Sequence, residues 1–305
     1  MSENAVVEAQ GLTKFYGPHR GLEDLSMTVE AGEVFGYLGP NGAGKTTTIR
    51  LMLDFIRPTR GTVRVLGAPT RGAAGVEARR RIGYLPGELS FDGRETAAEL
   101  LRFFAAARGG VAQRTITELA DRFELDLRRR LPEMSRGNKQ KVGLVQAFMH
   151  EPELLVLDEP TSGLDPLMQQ EFLELVRESR AAGQTIFMSS HVLAEVQHAA
   201  DRVGIVRDGH LVAVERVESL GKRAKRHVEI HFNGPVPPRD FEGLAGVTEL
   251  QVEGATLRCT VDGMLDPLIK AAARHTVADM ISTEPDLEET FLSYYYTQEG
   301  EHRAA

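Results

Sequence analysis

The sequence predicts an α/β fold: a mostly parallel sheet carrying a helical insertion, followed by a smaller α+β domain. Three observations carry that expectation. Short apolar runs alternate with longer helical patterns over residues 1 to about 215, the mark of βαβ units. A glycine-rich turn, GPNGAGK, joins one such run to the helical pattern after it. A polar, basic stretch, VESLGKRAKR, then interrupts the chain before strand-like alternation returns.

Taken in order, EVFGYL (Glu33 to Leu38) reads as a buried strand, because a short continuous apolar run suits a strand covered on both faces. The helix after the glycine-rich turn should run through about Phe55. LLVLDE (Leu154 to Glu159) and TIFMSS (Thr185 to Ser190) are strands of the same kind. Between them and the first strand, AAELLRFFAAA, RTITELADRFEL and NKQKVGLVQAFM are helical, which predicts a helical subdomain over about 95–150. The first domain should span 1–220 and the second 221–297. In the second, HVEIHF, ELQV, TLRCTV and VADMIS alternate, MLDPLIKAAARH is helical, and a last helix starts near Leu287. Residues 298–305 read as a disordered tail.

Composition excludes several classes of function. Of 305 residues, 42% are hydrophobic and 26% charged, enough for a real core. Against 44 acidic residues stand 36 basic ones, a net charge of −8, so no nucleic-acid partner is expected. The one cysteine, Cys259, excludes an internal disulfide framework and suits a reducing compartment. No apolar stretch approaches the roughly 18 residues of a membrane span, and MSENAVVEAQGL lacks the features of a secretory signal. The chain should stay in the cytoplasm, with any spanning of a membrane left to a separate polypeptide.

Gly39, Pro40, Asn41, Gly42, Ala43, Gly44, Lys45 and Thr46 match G-x-x-x-x-G-K-[ST] between a strand and a helix, the context that phosphate-binding loop requires. Gly39, Gly42 and Gly44 should let the backbone curl its N–H groups inward, with positive φ angles that need no Cβ clearance. A helix beginning near Lys45 aims its positive end at the same anion. Lys45 should reach the β- and γ-phosphates, and the Thr46 hydroxyl should ligate Mg²⁺. Asp158, ending an apolar strand at the edge where such sheets bind ligands, is the second expected Mg²⁺ partner. Glu159 is then placed to polarise the attacking water as general base.

Further segments resemble one family. Met134-Ser-Arg-Gly-Asn138 resembles the signature sequence, usually LSGGQ, of the ATP-binding-cassette (ABC) family. Ser162-Gly-Leu-Asp165 looks like its D-loop, His191 after TIFMSS like its switch histidine, and Tyr16 in KFYG like its adenine-stacking aromatic. The resemblance covers about residues 6 to 215 and implies a P-loop ATPase cassette using ATP and Mg²⁺. It also implies a head-to-tail homodimer, in which Ser135 and Gly137 touch the γ-phosphate of the ATP held by the partner's loop, Thr47 included. His191 would contact that phosphate from the loop's own side.

Arg136 and Asn138 depart from the usual glycine and glutamine, and Gly87 stands where the Q-loop glutamine is expected, followed by Glu88. YLPGEL, MSRGNKQK and the ending PDLEETFLSYY resemble bacterial exporters of drugs and antibiotics, which implies a separate transmembrane permease and a place on the inner face of the cell membrane. The alternative is a soluble ABC ATPase with a regulatory or remodelling role. GNKQ (Gly137 to Gln140) superficially looks like a guanine-reading motif, but Lys141 occupies the position where that motif needs aspartate. Arg79 to Arg81 and Arg128 to Arg130 read as solvated helix ends or as faces for a membrane partner. Phe91, Phe103 and Phe104 read as a groove for a partner helix, the latter two equally as helical core.

Overall fold

The computed structural model describes residues 4–90, 93–219 and 226–283, so Phe91, the expected last helix and the tail lie outside the described residues. Two compact units divide between Glu215 and Arg216. In the first, a six-stranded sheet takes the order β10-β9-β3-β8-β7-β6, built from Val34–Leu38 (β3), Ile82–Leu85 (β6), Leu154–Asp158 (β7), Thr185–Ser190 (β8), Arg202–Arg207 (β9) and His210–Arg216 (β10). β3 runs parallel to both β8 and β9, and β7 parallel to both β6 and β8.

Continuous apolar runs are what such a sheet demands, since successive side chains enter opposite layers. Val34, Leu155 and Ile186 enter one core with the helices Ala97–Ala107 (α3), Gln113–Arg122 (α4), Arg136–Phe148 (α5) and Pro166–Ala181 (α6). Their neighbours Phe35, Val156 and Phe187 enter the other core, beside helix Lys45–Met52 (α1). The three helices α3, α4 and α5 lie in sequence between β6 and β7. α3 opens with a capping box between Thr96 and Glu99.

Two expectations need correction. The first thirty residues do not enter the parallel sheet: Ala5–Tyr16 (β1) and His19–Glu30 (β2) pair antiparallel, and β1 pairs Arg60–Val65 (β4), which carries the short edge strand Ala68–Pro69 (β5). Their alternation buries Leu22, Leu25, Met27 and Val29 in the second core, a half-buried pattern distinct from a parallel strand. Helix α1 ends at Met52, not Phe55, because Asp54 takes φ +59° and breaks the helical hydrogen bonding. The helix Gly72–Arg80 (α2) and, beyond β8, Leu193–Ala199 (α7) complete the unit.

Unit two is a four-stranded antiparallel sheet, order β12-β13-β11-β14, of Arg226–Phe232 (β11), Val247–Glu253 (β12), Thr256–Val261 (β13) and Val277–Thr283 (β14). Val228, Ile230 and Leu257 face helix Asp266–Ala272 (α8), which presents Leu268, Ala271 and Ala272. Burial of Cys259 pushes its thiol up to about 11, so it stays protonated.

Candidate functional site

Parallel register lines up the C-terminal ends of four neighbouring strands. Leu38 pairs with Ser190, Ser189 with Asp158, and Leu157 with Leu85. The segments leaving those ends are therefore neighbours: the glycine-rich turn after β3, Pro86 to Glu88 after β6, Glu159 after β7 and His191 after β8. They surround a cavity of about 580 Å³ lined by Pro40, Asn41, Gly42, Gly44, Lys45, Thr46, Thr47, Gly87, Glu88, Asp158, Glu159 and His191, together with Gly21, Arg50, Tyr84, Pro86, Arg136 and Ser162.

Gly42 and Gly44 take φ +83° and +106°, the freedom that the turn requires of them. Gly39 is needed for a different reason than the expected positive φ. A Cβ there would lie 2.4 Å from the Val206 carbonyl oxygen, so the constraint is close backbone approach. Ala43 turns its methyl into the second core, and neither it nor Gly39 lines the cavity.

Lys45 is 6% exposed and its ammonium donates to the carbonyls of Gly39 at 2.7 Å and Pro40 at 3.2 Å. It also lies 3.1 Å from Glu159 Oε1, an ion pair held by charge rather than by an aligned hydrogen bond. Glu159 Oε2 meets His191 Nδ1 at 2.6 Å. Asp158 is 1% exposed; the Thr46 hydroxyl donates to its Oδ2 at 2.8 Å and the Ser189 hydroxyl to its Oδ1 at 2.6 Å. A buried carboxylate supported by two hydroxyls at the edge of a cavity is the oxygen-only donor set that a hard divalent cation takes, so the residues fit Mg²⁺. Burial, with the Asp158 charge beside it, pushes the Tyr84 phenol up to about 12.

Other expected residues sit apart from this cavity. Tyr16 closes β1, half exposed, with its ring over Gly21, which does line the cavity; Lys14 Nζ lies 5.2 Å from the ring centroid. Ser135 and Gly137 do not line it. Ser135 is the N-cap of α5, its hydroxyl accepting from the Asn138 N–H at 3.3 Å. That leaves its own O–H free to donate elsewhere. Gly87, expected at the Q-loop position, sets its backbone against Asp158, where a Cβ would stand 3.2 Å from Oδ2.

The first basic run finds partners within the chain: Arg79 donates to the Thr70 carbonyl, Arg80 meets Glu77 and Arg81 pairs with Glu153. Phe104 packs against the first core while Phe103 is exposed. The sequence reading missed Ser189, Arg50 and Tyr84. Ser189 lies at the end of an apolar strand two residues before His191, but a hydroxyl there has no pattern of its own that would point to the site.

Comparison with known proteins agrees with this geometry. The ABC transporter family profile matches residues 22–162. A bacitracin transport ATP-binding protein of Enterococcus faecalis is 35% identical over 83% of this chain and 83% of its own length. A linearmycin resistance ATP-binding protein of Bacillus subtilis is 30% identical over 94% of this chain and 97% of its own. A solved ATP-binding subunit of an ABC transporter superposes with TM-score 0.65 at 32% identity, covering 70% of this chain and 91% of that one. The α/β unit with its phosphate-loop cavity and these relatives together identify the chain as a member of the ABC transporter ATP-binding protein family.

Proposed function

We propose that this chain is the ATP-hydrolysing subunit of a bacterial ABC exporter of the drug and antibiotic subgroup, working through a separate transmembrane permease. One observation carries the reading: Lys45, Thr46, Asp158, Glu159 and His191 converge on one cavity from the ends of adjacent parallel strands. Relatives named for bacitracin transport and linearmycin resistance supply the substrate class. Among the described residues no helix is long and apolar enough to cross a membrane, in keeping with a cytoplasmic subunit held at the inner membrane face by its permease.

In this reading the γ-phosphate of ATP takes Lys45 from Glu159. The turn's N–H groups and the positive end of α1 hold the β- and γ-oxygens. Thr46 and Asp158 hold Mg²⁺, which supplies charge neutralisation at the phosphates. Freed of Lys45, the Glu159 carboxylate accepts a proton from a water as that water's oxygen bonds to the γ-phosphorus. The bond from that phosphorus to the ADP oxygen breaks. His191 orients Glu159 through the 2.6 Å contact and faces the same phosphate. Tyr16 stacks on the base. Ser135 and Gly137 complete the site of the second copy, so ATP joins two chains.

The Glu159→Gln variant tests this. It should bind ATP, hydrolyse it at least about a hundredfold more slowly and accumulate as an ATP-dependent dimer in light scattering. Adding Ser135→Arg should return it to monomer. Near-normal hydrolysis by Glu159→Gln would overturn the assignment of the base, and an intact dimer in the double variant would overturn the shared site. Copurification with a multispanning membrane protein from detergent tests the transport role.

A further inference from the structure

Gln140 lies in α5 three residues beyond Gly137, and no expected role absorbs it. Its side chain is 3% exposed, buried where α5 meets the segment that leaves β7. Nε2 donates to the carbonyl of Glu159 at 3.2 Å and to that of Pro160 at 2.9 Å. Both hydrogens of one neutral amide are thus spent on two consecutive carbonyls. An amide suits that task, because it offers two donors on one atom without burying a charge.

Those carbonyls follow an unusual backbone. Glu159 has φ +51°, a left-handed conformation that a non-glycine residue keeps only where its surroundings impose it. On the amide side the constraint comes from β8: the Glu159 N–H lies 3.2 Å from the Ser189 carbonyl and 3.1 Å from its hydroxyl. On the carbonyl side it comes from Gln140. Strand and helix together fix the residue whose carboxylate reaches Lys45 and His191.

Nearby contacts join the same two segments. Arg136 donates to the Ser162 hydroxyl at 2.8 Å, and a Cβ on Gly137 would lie 2.4 Å from the Gly163 carbonyl oxygen. The first turns of α5 and residues 159–163 are packed as one piece.

We propose that Gln140 is a positioning residue for hydrolysis: its amide holds the Glu159 backbone in the left-handed conformation that aims the carboxylate at the attacking water. It acts through Glu159, and so rests on the reading of Glu159 as general base. The helix that carries the Ser135 turn toward a second copy's nucleotide thereby also sets the base of its own chain.

Gln140→Met keeps length and removes both donors. Gln140→Glu keeps shape and turns an acceptor toward the two carbonyls. In the full-length chain each should lower kcat about ten- to hundredfold while KM for ATP stays within about twofold, as expected of a displaced reacting group. Single-turnover hydrolysis of radiolabelled ATP supplies the decisive readout. In a Glu159→Gln background, Gln140→Met should slow the residual reaction by less than about twofold, because the group it positions is already gone.

Wild-type kcat in Gln140→Met overturns the proposal. So does an equal loss in both backgrounds, which would make the two residues independent. Loss of ATP binding along with hydrolysis in both Gln140 variants would assign a structural role and overturn it as well. Full hydrolysis by Glu159→Gln alone removes the reading of Glu159 itself, an outcome distinguishable from the others.

Discussion

The two compact units bury polar groups very differently. The first buries many polar side chains, among them Lys45, Asp158, Thr161, Ser189 and Ser190 near the ends of β3, β7 and β8 and Gln140 against the segment after β7, with others such as Thr13, Lys141 and Thr185 elsewhere. Of the described residues in the second, Thr260 is the one buried polar side chain, and polar groups such as Glu229, His231 and Arg258 instead lie on the sheet face away from α8. Buried polar groups cost stability unless each finds a partner, so a concentration of them marks where chemistry outweighs folding. The first unit carries a site on its sheet ends; the second is a small core under one helix.

The largest expected effect comes from removing the buried cation. Lys45→Ala should lower ATP hydrolysis by about a thousandfold or more and weaken nucleotide binding, since it removes the ammonium that the Gly39 and Pro40 carbonyls hold inside the turn. Near-normal steady-state hydrolysis would erase the distinction between the units. Leu268→Ala sharpens it from the other side. The side chain is fully buried, so the change should destabilise the second unit by about 2–5 kcal/mol, read in urea unfolding, while hydrolysis is preserved. A parallel loss of hydrolysis would make the second unit part of the site.

Tyr16→Ala should weaken ATP binding by about 1–3 kcal/mol, measured by titration calorimetry. Preference for ATP over GTP should remain loose, because a stacked ring reads any base. The smallest effect is electrostatic. Burial, aided by the Arg108 charge, holds the His150 imidazole at about 4, against an ordinary 6.5. The unfolded chain takes up this proton below about pH 6.5 and the folded chain refuses it until about pH 4. Stability is therefore lost as pH falls through that window and levels off below it. Allowing for partial exposure, the contribution is on the order of 1 kcal/mol. His150→Leu should remove that part of the slope in pH-dependent melting.

Much of this was legible in the sequence for a physical reason. A parallel strand covered on both faces must be apolar throughout, so EVFGYL, LLVLDE and TIFMSS announce themselves, and whatever follows each run stands at the site. The N-terminal hairpin was less legible because its register shifts repeatedly between Ala5 and Phe15, which disrupts simple alternation. Ser189 and Gln140 escaped notice because a hydroxyl in a strand and an amide in a helix have no pattern of their own. Their roles come from partners 31 and 19 residues away. Gly39 was legible as a glycine but not for its cause, since only the fold brings Val206 against it.

The central claim is that a phosphate loop on one chain works with the Ser135 turn on another. Mixing the Lys45→Ala and Ser135→Arg chains tests it most directly. In a two-fold dimer, a mixed pair contains one undamaged composite site, whereas each variant alone contains none. The account predicts that equimolar mixing of two nearly inactive proteins restores ATP hydrolysis, up to about a quarter of the wild-type rate for random pairing of independent sites. Hydrolysis that stays at the sum of the separate variants, with mixed dimers demonstrated by differential tagging, would contradict it.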